Sequence, residues 1–398
     1  MYIFCKRKKI IIISIIIIGL IIILFNLFNN IKKERIYYEL FTGLYTSIFY
    51  FTSISLGSLF FLVLQNVSKS GWSIIIHPIM EEVSSFIPYG GFMILIIIFL
   101  NTSDIIHMFH WMDTDLYNPN SLKYDKIIAS KEMFLNIPFF LIRSFIYVLG
   151  CSFFYFKIKK ISKVLNVTSS LNDYKKLNFI SIIYIIFFSI ISIFMSWDWI
   201  MSFNPHWFST LFGWYILSST IITGISMITM IAIYLNKKKY FTLFNKNHLH
   251  DLSKYLFSSS LLWTYFWFSQ FLLYWYGNIP EEISFFIKRE ENYNYIHFWM
   301  LIPNFIIPFF TLISSKNKIN SNIVFSVGLI LMIGHYINIY SIIYPDLNVK
   351  FGMYEIGSIL LIGGLFIYIL FSNLNKKKLY SIGHPFFKES KNYKYPYM

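Results

Sequence analysis

Long uncharged apolar blocks alternate with short polar stretches along this chain. Residues 10–25 read IIIISIIIIGLIIILF, and residues 177–196 hold a similar run. A strand of a membrane barrel would alternate polar and apolar over about ten residues. These blocks are continuously apolar, and a helix satisfies its own backbone polar groups in lipid. The pattern predicts an all-α integral membrane protein of about ten transmembrane helices. The spans fall at roughly 10–28, 41–66, 86–109, 133–158, 177–201, 208–235, 253–277, 296–315, 321–344 and 354–373. Residues 72–85 (WSIIIHPIMEEVSS) are amphipathic and predict a short helix lying on the membrane surface. The connections are loops too short for a soluble domain, and no internal repeat is evident.

Charge sharpens this topology. Of the 34 Lys and Arg, 24 fall in segments on one side, nine on the other, and Arg143 inside a span. Cytoplasmic segments carry such an excess, so both termini are expected in the cytoplasm. The N-terminal KRKK before an apolar run reads as a retained signal anchor. The net charge of +15 does not indicate nucleic acid. Only four basic residues are Arg (Arg7, Arg35, Arg143, Arg289), no basic stripe carries interleaved aromatics, and abundant Lys, Asn, Ile, Phe and Tyr follow from AT-rich codons.

Composition also bounds the chemistry. Only 13% of residues are charged and 56% are hydrophobic, against about 25% charged in soluble domains. Cys5 and Cys151 are too few for an iron–sulfur cluster, and no C-x-x-C-H binds haem covalently. There is no Walker motif, G-x-S-x-G or H-E-x-x-H. Redox chemistry, if the protein serves it, needs cofactors on partners.

Ionisable groups in or beside spans are the candidates, because the bilayer makes them costly. Asp104, His107 and His110 recur every third residue, a spacing that would line one helix face; no further metal ligand accompanies them, and no metal site is assigned. Asp198 ends the fifth span and His206 opens the sixth, with Asn204-Pro205 making a short turn between them. That turn predicts a neighbouring carboxylate and imidazole able to pass a proton. Arg143 needs a carboxylate, with Asp113, Asp115 or Asp198 as candidates. Pro280 followed by Glu281 and Glu282 reads as a helix start. His335 and Glu355 are expected to face each other as a buried pair. Glu81, Glu82 and Asp251 on the inner side, with Glu281, Glu282, His335 and Glu355, would complete a proton path.

Four stretches resemble a known family. HWMDTDLYNPNSLKYDKIIASKEMFLNIPFFLIRSFIYVL (110–149) is similar to a loop and helix of polysulfide-reductase-like membrane subunits. MSWDWIMSFNPHWFSTLFGWY (195–215), HLHDLSKYLFSSSLLWTYFWFSQFLLYWYGNIPEEISFF (248–286) and YPDLNVKFGMYEIG (344–357) resemble one branch more specifically. That branch is the second quinone-binding-type membrane subunit of alternative complex III, the quinol:cytochrome c oxidoreductase of Bacteroidota. The resemblance covers roughly residues 40–370. It implies two four-helix bundles, 41–201 and 208–344, flanked by a peripheral anchor helix (1–40) and a last helix with a basic cytoplasmic tail (345–398). It implies respiratory electron transport with menaquinol or another quinone as substrate, and haem c and iron–sulfur clusters on partners. Those partners are a paralogous membrane subunit that carries the main quinol site, a periplasmic iron–sulfur protein, c-type cytochromes and a terminal oxidase.

The resulting expectation is a subunit that contributes to quinol binding, proton transfer or assembly. His110, Asp113, Asp115, Arg143, Asp198 and His206 would form an outer pocket. His or Asp would take protons, and Arg143 would hold a carboxylate in place. A stand-alone secondary transporter is the rival reading, but Pro303 and Pro308 break only the eighth span and no paired break lies in the other half. A purely structural anchor is the third.

Overall fold

The computed structural model describes residues 2–29, 36–103, 105–293, 295–375 and 379–395. Among these the fold is all-helical, with one isolated β-bridge between Tyr2 and Asn375. Eight helices are long and apolar enough to cross a membrane. They are α1 (Lys6–Asn29), α2 (Ile36–Val67), α3 (His77–Thr102), α4 (Ile137–Thr168), α5 (Leu171–Trp199, which runs on to Phe203 as a span) and α6 (Phe212–Lys237), then α10 (Ser321–Leu347) and α11 (Met353–Leu374). Between α6 and α10 lie α7 (Lys246–Gly277), α8 (Pro280–Asn292) and the shorter apolar α9 (Ile296–Leu312). The seventh and eighth expected spans correspond to α7 and α9. Buried His248, Asp251 and Gln270 make α7 more polar, and a π-helical turn at Ile302–Ile306 with Pro303 interrupts α9.

Lateral surfaces explain why the sequence is so apolar. Phe25, Leu149, Phe179 and Phe310 are each more than 60% exposed. Apolar patches on this scale are not tolerated in water; they suit lipid tails and suggest a membrane location.

Packing follows a simple order. Helices α2, α3, α4 and α5 contact one another cyclically, and so do α6, α7, α9 and α10. The rings meet along α2 and α6, while α1 lies against α11. Glycine sets both crossings. A Cβ on Gly57 would lie 1.9 Å from the Thr220 carbonyl oxygen, and one on Gly224 would lie 2.5 Å from the Gly57 backbone. Gly19 and Gly357 do the same between α1 and α11. Small residues allow such backbone approach where lipid supplies no hydrophobic drive between helices.

The structure corrects two expectations of local structure. Residues 72–85 do not lie on a surface. Ile74, Ile75, Ile76, Ile79, Met80 and Val83 are all buried, and the segment runs into α3 against α2 and α6. The third helix stops at Thr102 rather than near 109, because the Asn101 side chain accepts from the Met108 N–H and turns the chain back. As Pro280 predicts, α8 begins there. The chain termini, residues 67–77 and residues 237–250 gather at one end, and the 105–136 loop, residues 200–211 and residues 346–352 gather at the other.

Candidate functional site

Two polar centres lie toward the end opposite the termini. The first joins α4 to α5. Asn136 caps α4 by accepting from the Phe139 N–H, and Pro138 sits in its first turn. This fixes Arg143 two turns in. Its Nε and Nη2 donate to Asp198 Oδ2 and Oδ1, both at 2.7 Å. Tyr147 donates to Asp198 Oδ2, also at 2.7 Å. The guanidinium carbon sits 4.0 and 4.2 Å from the ring centres of Phe134 and Phe139. Asp198 has no exposed surface. A forked, aromatic-clamped pair of this kind holds two helices together and leaves no carboxylate oxygen facing solvent. Arg143 thus takes one of its three candidate partners. Asp113 and Asp115 pair instead with Lys123 on the exposed loop, at 3.2 and 3.6 Å. The Asp115 N–H and then Lys123 hold the Asp113 carboxyl below its ordinary range.

The second centre is a cavity of about 580 Å³. His107, His110, Asn204, His206, Lys288 and Asp346 contribute its polar walls, and Tyr38, Phe203 and Leu347 its apolar ones. A buried stack adjoins the residues that line it. The Trp207 ring lies 3.9 Å from that of Phe285 at an interplanar angle of 12°, and the Arg289 guanidinium lies 3.2 Å beyond the Phe285 ring centre. Arg289 donates to Asp346 at 2.8 Å and to the carbonyls of Phe285, Ser341 and Ile342. Burial lowers the Lys288 ammonium from its ordinary value, and Asp346 partly restores it. Lys131 reaches across the end of the protein to the Pro205 carbonyl. Beside it is an apolar cavity of about 430 Å³ with Phe134, Trp197 and Trp207 among its walls.

Of the six residues expected to share one pocket, His110 and His206 line this cavity. Asp113, Asp115, Arg143 and Asp198 do not line that cavity. The expected Asp198–His206 pair is absent: Asp198 is turned into α4, while half-exposed His206 meets Asp125 at 3.2 Å. The reason is Arg143, which outcompetes a surface imidazole for a buried carboxylate. Arg289 and Asp346 were missed as site residues. Their signal was the scarcity of Arg in a Lys-rich chain: the two buried Arg, at 143 and 289, both need a fork that Lys lacks.

The remaining candidates are dispersed. His335 is buried against Ser219 at 2.9 Å and Trp263, whereas Glu355 accepts from Tyr336. Residues 335 and 336 project from different faces of α10, so the expected His335–Glu355 pair does not form. Glu82 is closed by Lys159 at 2.9 Å. Asp251 is closed by Lys254 and the Tyr393 hydroxyl. Glu81 is partly buried on α3. The side chains of Glu281 and Glu282 lie outside the described residues, as does Asp104. His107 and His110 follow the end of α3 and do not share a helix face. Among the described residues no group of three or more His, Cys, Asp or Glu could hold a metal ion.

Described residues of the C-terminal tail are docked on the protein. Ser390 donates to the Trp72 carbonyl and accepts from the Ile75 N–H, and its carbonyl meets His248 Nε2 at 3.0 Å. Asn245 and Asn247 donate to the Tyr393 carbonyl. No family model matches the sequence, and no curated protein matches it.

Proposed function

We propose that this chain is a membrane subunit of a quinol:cytochrome c oxidoreductase of the alternative complex III type, without redox cofactors of its own. On this reading it spans a bacterial inner membrane about ten times, as two four-helix bundles (α2–α5 and α6, α7, α9, α10) with α1 and α11 outside them. Both termini are cytoplasmic, and the end bearing the 580 Å³ cavity is outward. Haem c and iron–sulfur clusters sit on partner subunits, and a paralogous membrane subunit holds the main quinol site.

The observation that supports this most is convergence. Three of the four stretches that resemble the family line one cavity, through His110, through Asn204 and His206, and through Asp346. The fourth supplies Phe285, on which the Arg289 partner of Asp346 stacks. Imidazoles at an aqueous end can receive and release protons near neutral pH. Quinol oxidation delivers protons to the outer face, so His110 and His206 would carry them away. Arg289 would hold Asp346 at the cavity wall.

The test is quinol-dependent cytochrome c reduction in membranes carrying a His110→Ala, His206→Ala double variant. Turnover is expected to fall, with the assembled complex present in normal amount. Unchanged turnover at every pH would remove the histidines from the reaction.

A further inference from the structure

A cavity of about 640 Å³ lies between α3, α4 and the end of α11, on the flank of the first helix ring. Its outward wall is aromatic: Tyr89, Phe92 and Phe156 are 52%, 64% and 57% exposed. Exposed Ile96 and Phe99 continue this apolar stripe along α3, away from the end that gathers the termini. Polar groups line another side, where Tyr155, Lys159 and Lys163 stand on successive turns of α4.

Helix length sets the depth of these groups. Lys157 lies about 30 Å along α4 from Ile137, roughly the thickness of a bilayer's hydrocarbon core. Lys159 and Lys163 therefore fall at a headgroup boundary, and the Phe92–Phe99 stripe runs from there into the hydrocarbon. Lys159 is held in place: its ammonium donates to Glu82 at 2.9 Å and to the Tyr155 hydroxyl at 2.6 Å. An ammonium has three N–H groups, so one is left for a further acceptor, and the Tyr155 hydroxyl keeps its own proton to donate. Lys163 is exposed and makes no ion pair among the described residues. Lys159 neutralises Glu82, and among the described residues no Asp or Glu lines the cavity. The cavity thus offers positive donors at boundary depth above an apolar track. That combination fits an anion carried on acyl chains, and basic pockets between membrane helices recognise such lipids. A soluble anion has no use for the aromatic wall, and a zwitterionic lipid brings its own cation toward Lys163.

We propose that this cavity binds an anionic glycerophospholipid from the leaflet at the end bearing the termini. Its phosphate accepts from Lys159, Lys163 and the Tyr155 hydroxyl, and an acyl chain lies along Phe92 and Phe99. The proposal rests on the membrane location and not on the quinol reading.

The test is scintillation-proximity binding of tritium-labelled lipids to the tagged full chain in mild detergent. The probes are phosphatidylglycerol and phosphatidylcholine with identical acyl chains; both carry the phosphate, but choline adds a cation. Wild type is expected to bind phosphatidylglycerol about tenfold more tightly. Lys163→Glu should remove that preference, and Tyr155→Phe, which deletes one donor, should reduce it. Lys157→Glu makes the same charge change outside the cavity wall and should keep it. Equal affinity for the two lipids in wild type overturns the proposal. So does an equal loss in Lys163→Glu and Lys157→Glu, which would mean a diffuse positive surface and no site. Displacement of phosphatidylglycerol by millimolar inorganic phosphate would overturn the lipid assignment in favour of a free anion.

Discussion

Replacing Asp198 separates a structural role from a catalytic one. Its carboxylate carries two guanidinium bonds and one phenol bond, all at 2.7 Å and none open to solvent. Asp198→Ala would strand the Arg143 charge, 7% exposed, between two aromatic rings. Removing one member of a buried pair typically costs about 3–5 kcal/mol, because the other charge stays desolvated. That is a large share of the stability of any fold. Asp198→Ala should therefore lower the midpoint of thermal unfolding in detergent by several degrees and reduce assembled protein. Removing the whole network, with Arg143→Met, Tyr147→Phe and Asp198→Leu together, should recover most of the loss, since similar-sized apolar replacements of buried ion pairs are often neutral. The assay is size-exclusion-coupled thermal unfolding of all variants in one detergent. A single Asp198→Ala variant as stable as wild type would refute the reasoning, and lost turnover in that stable protein would make Asp198 a proton-transfer group.

Three further outcomes are expected. Gly57→Leu should block folding or assembly, since even its Cβ would lie 1.9 Å from a Thr220 carbonyl; membrane-fraction yield reads this. Arg289→Lys should cost about 2 kcal/mol or more, because an ammonium cannot serve Asp346 and three carbonyls together; unfolding midpoints against Arg143→Lys would check it. The docked tail should loosen in acid: burial holds the His384 imidazole at about 4, against 6.5 when unfolded. The unfolded tail then binds more protons between these values, so docking is fully stable above pH 6.5 and weakens as pH falls toward 4, by about 3 kcal/mol. Limited proteolysis of residues 379–395 across that range should show the effect in wild type and less of it in His384→Phe, since buried His248 also packs against the tail.

Much of this fold was legible because lipid demands continuous apolar helices, and the seven blocks that became α1, α2, α4, α5, α6, α10 and α11 met that demand. Apolar runs do not reveal what covers them, so Ile74–Ile76 read as a membrane-surface helix although they are core. The polar turns were harder. Asn101 ended α3 by a side-chain bond to Met108 that no periodicity announces. That His110 and His206 lie at the same end of the bundle was legible, because both fall in connections on one side of the expected spans. Asp198 was one of three candidate partners for Arg143, and the Arg289–Asp346 pair was not anticipated, because spacing between neighbours in sequence says little about pairs formed 55 and 57 residues apart.

The most direct test of the central claim is to purify the tagged chain from its own membranes in mild detergent and record its optical spectrum and protein composition. The account predicts c-type haem bands, an iron–sulfur protein and a second polytopic subunit in the same peak. A colourless, monodisperse chain, obtained from membranes whose haem proteins elute intact elsewhere, would contradict it.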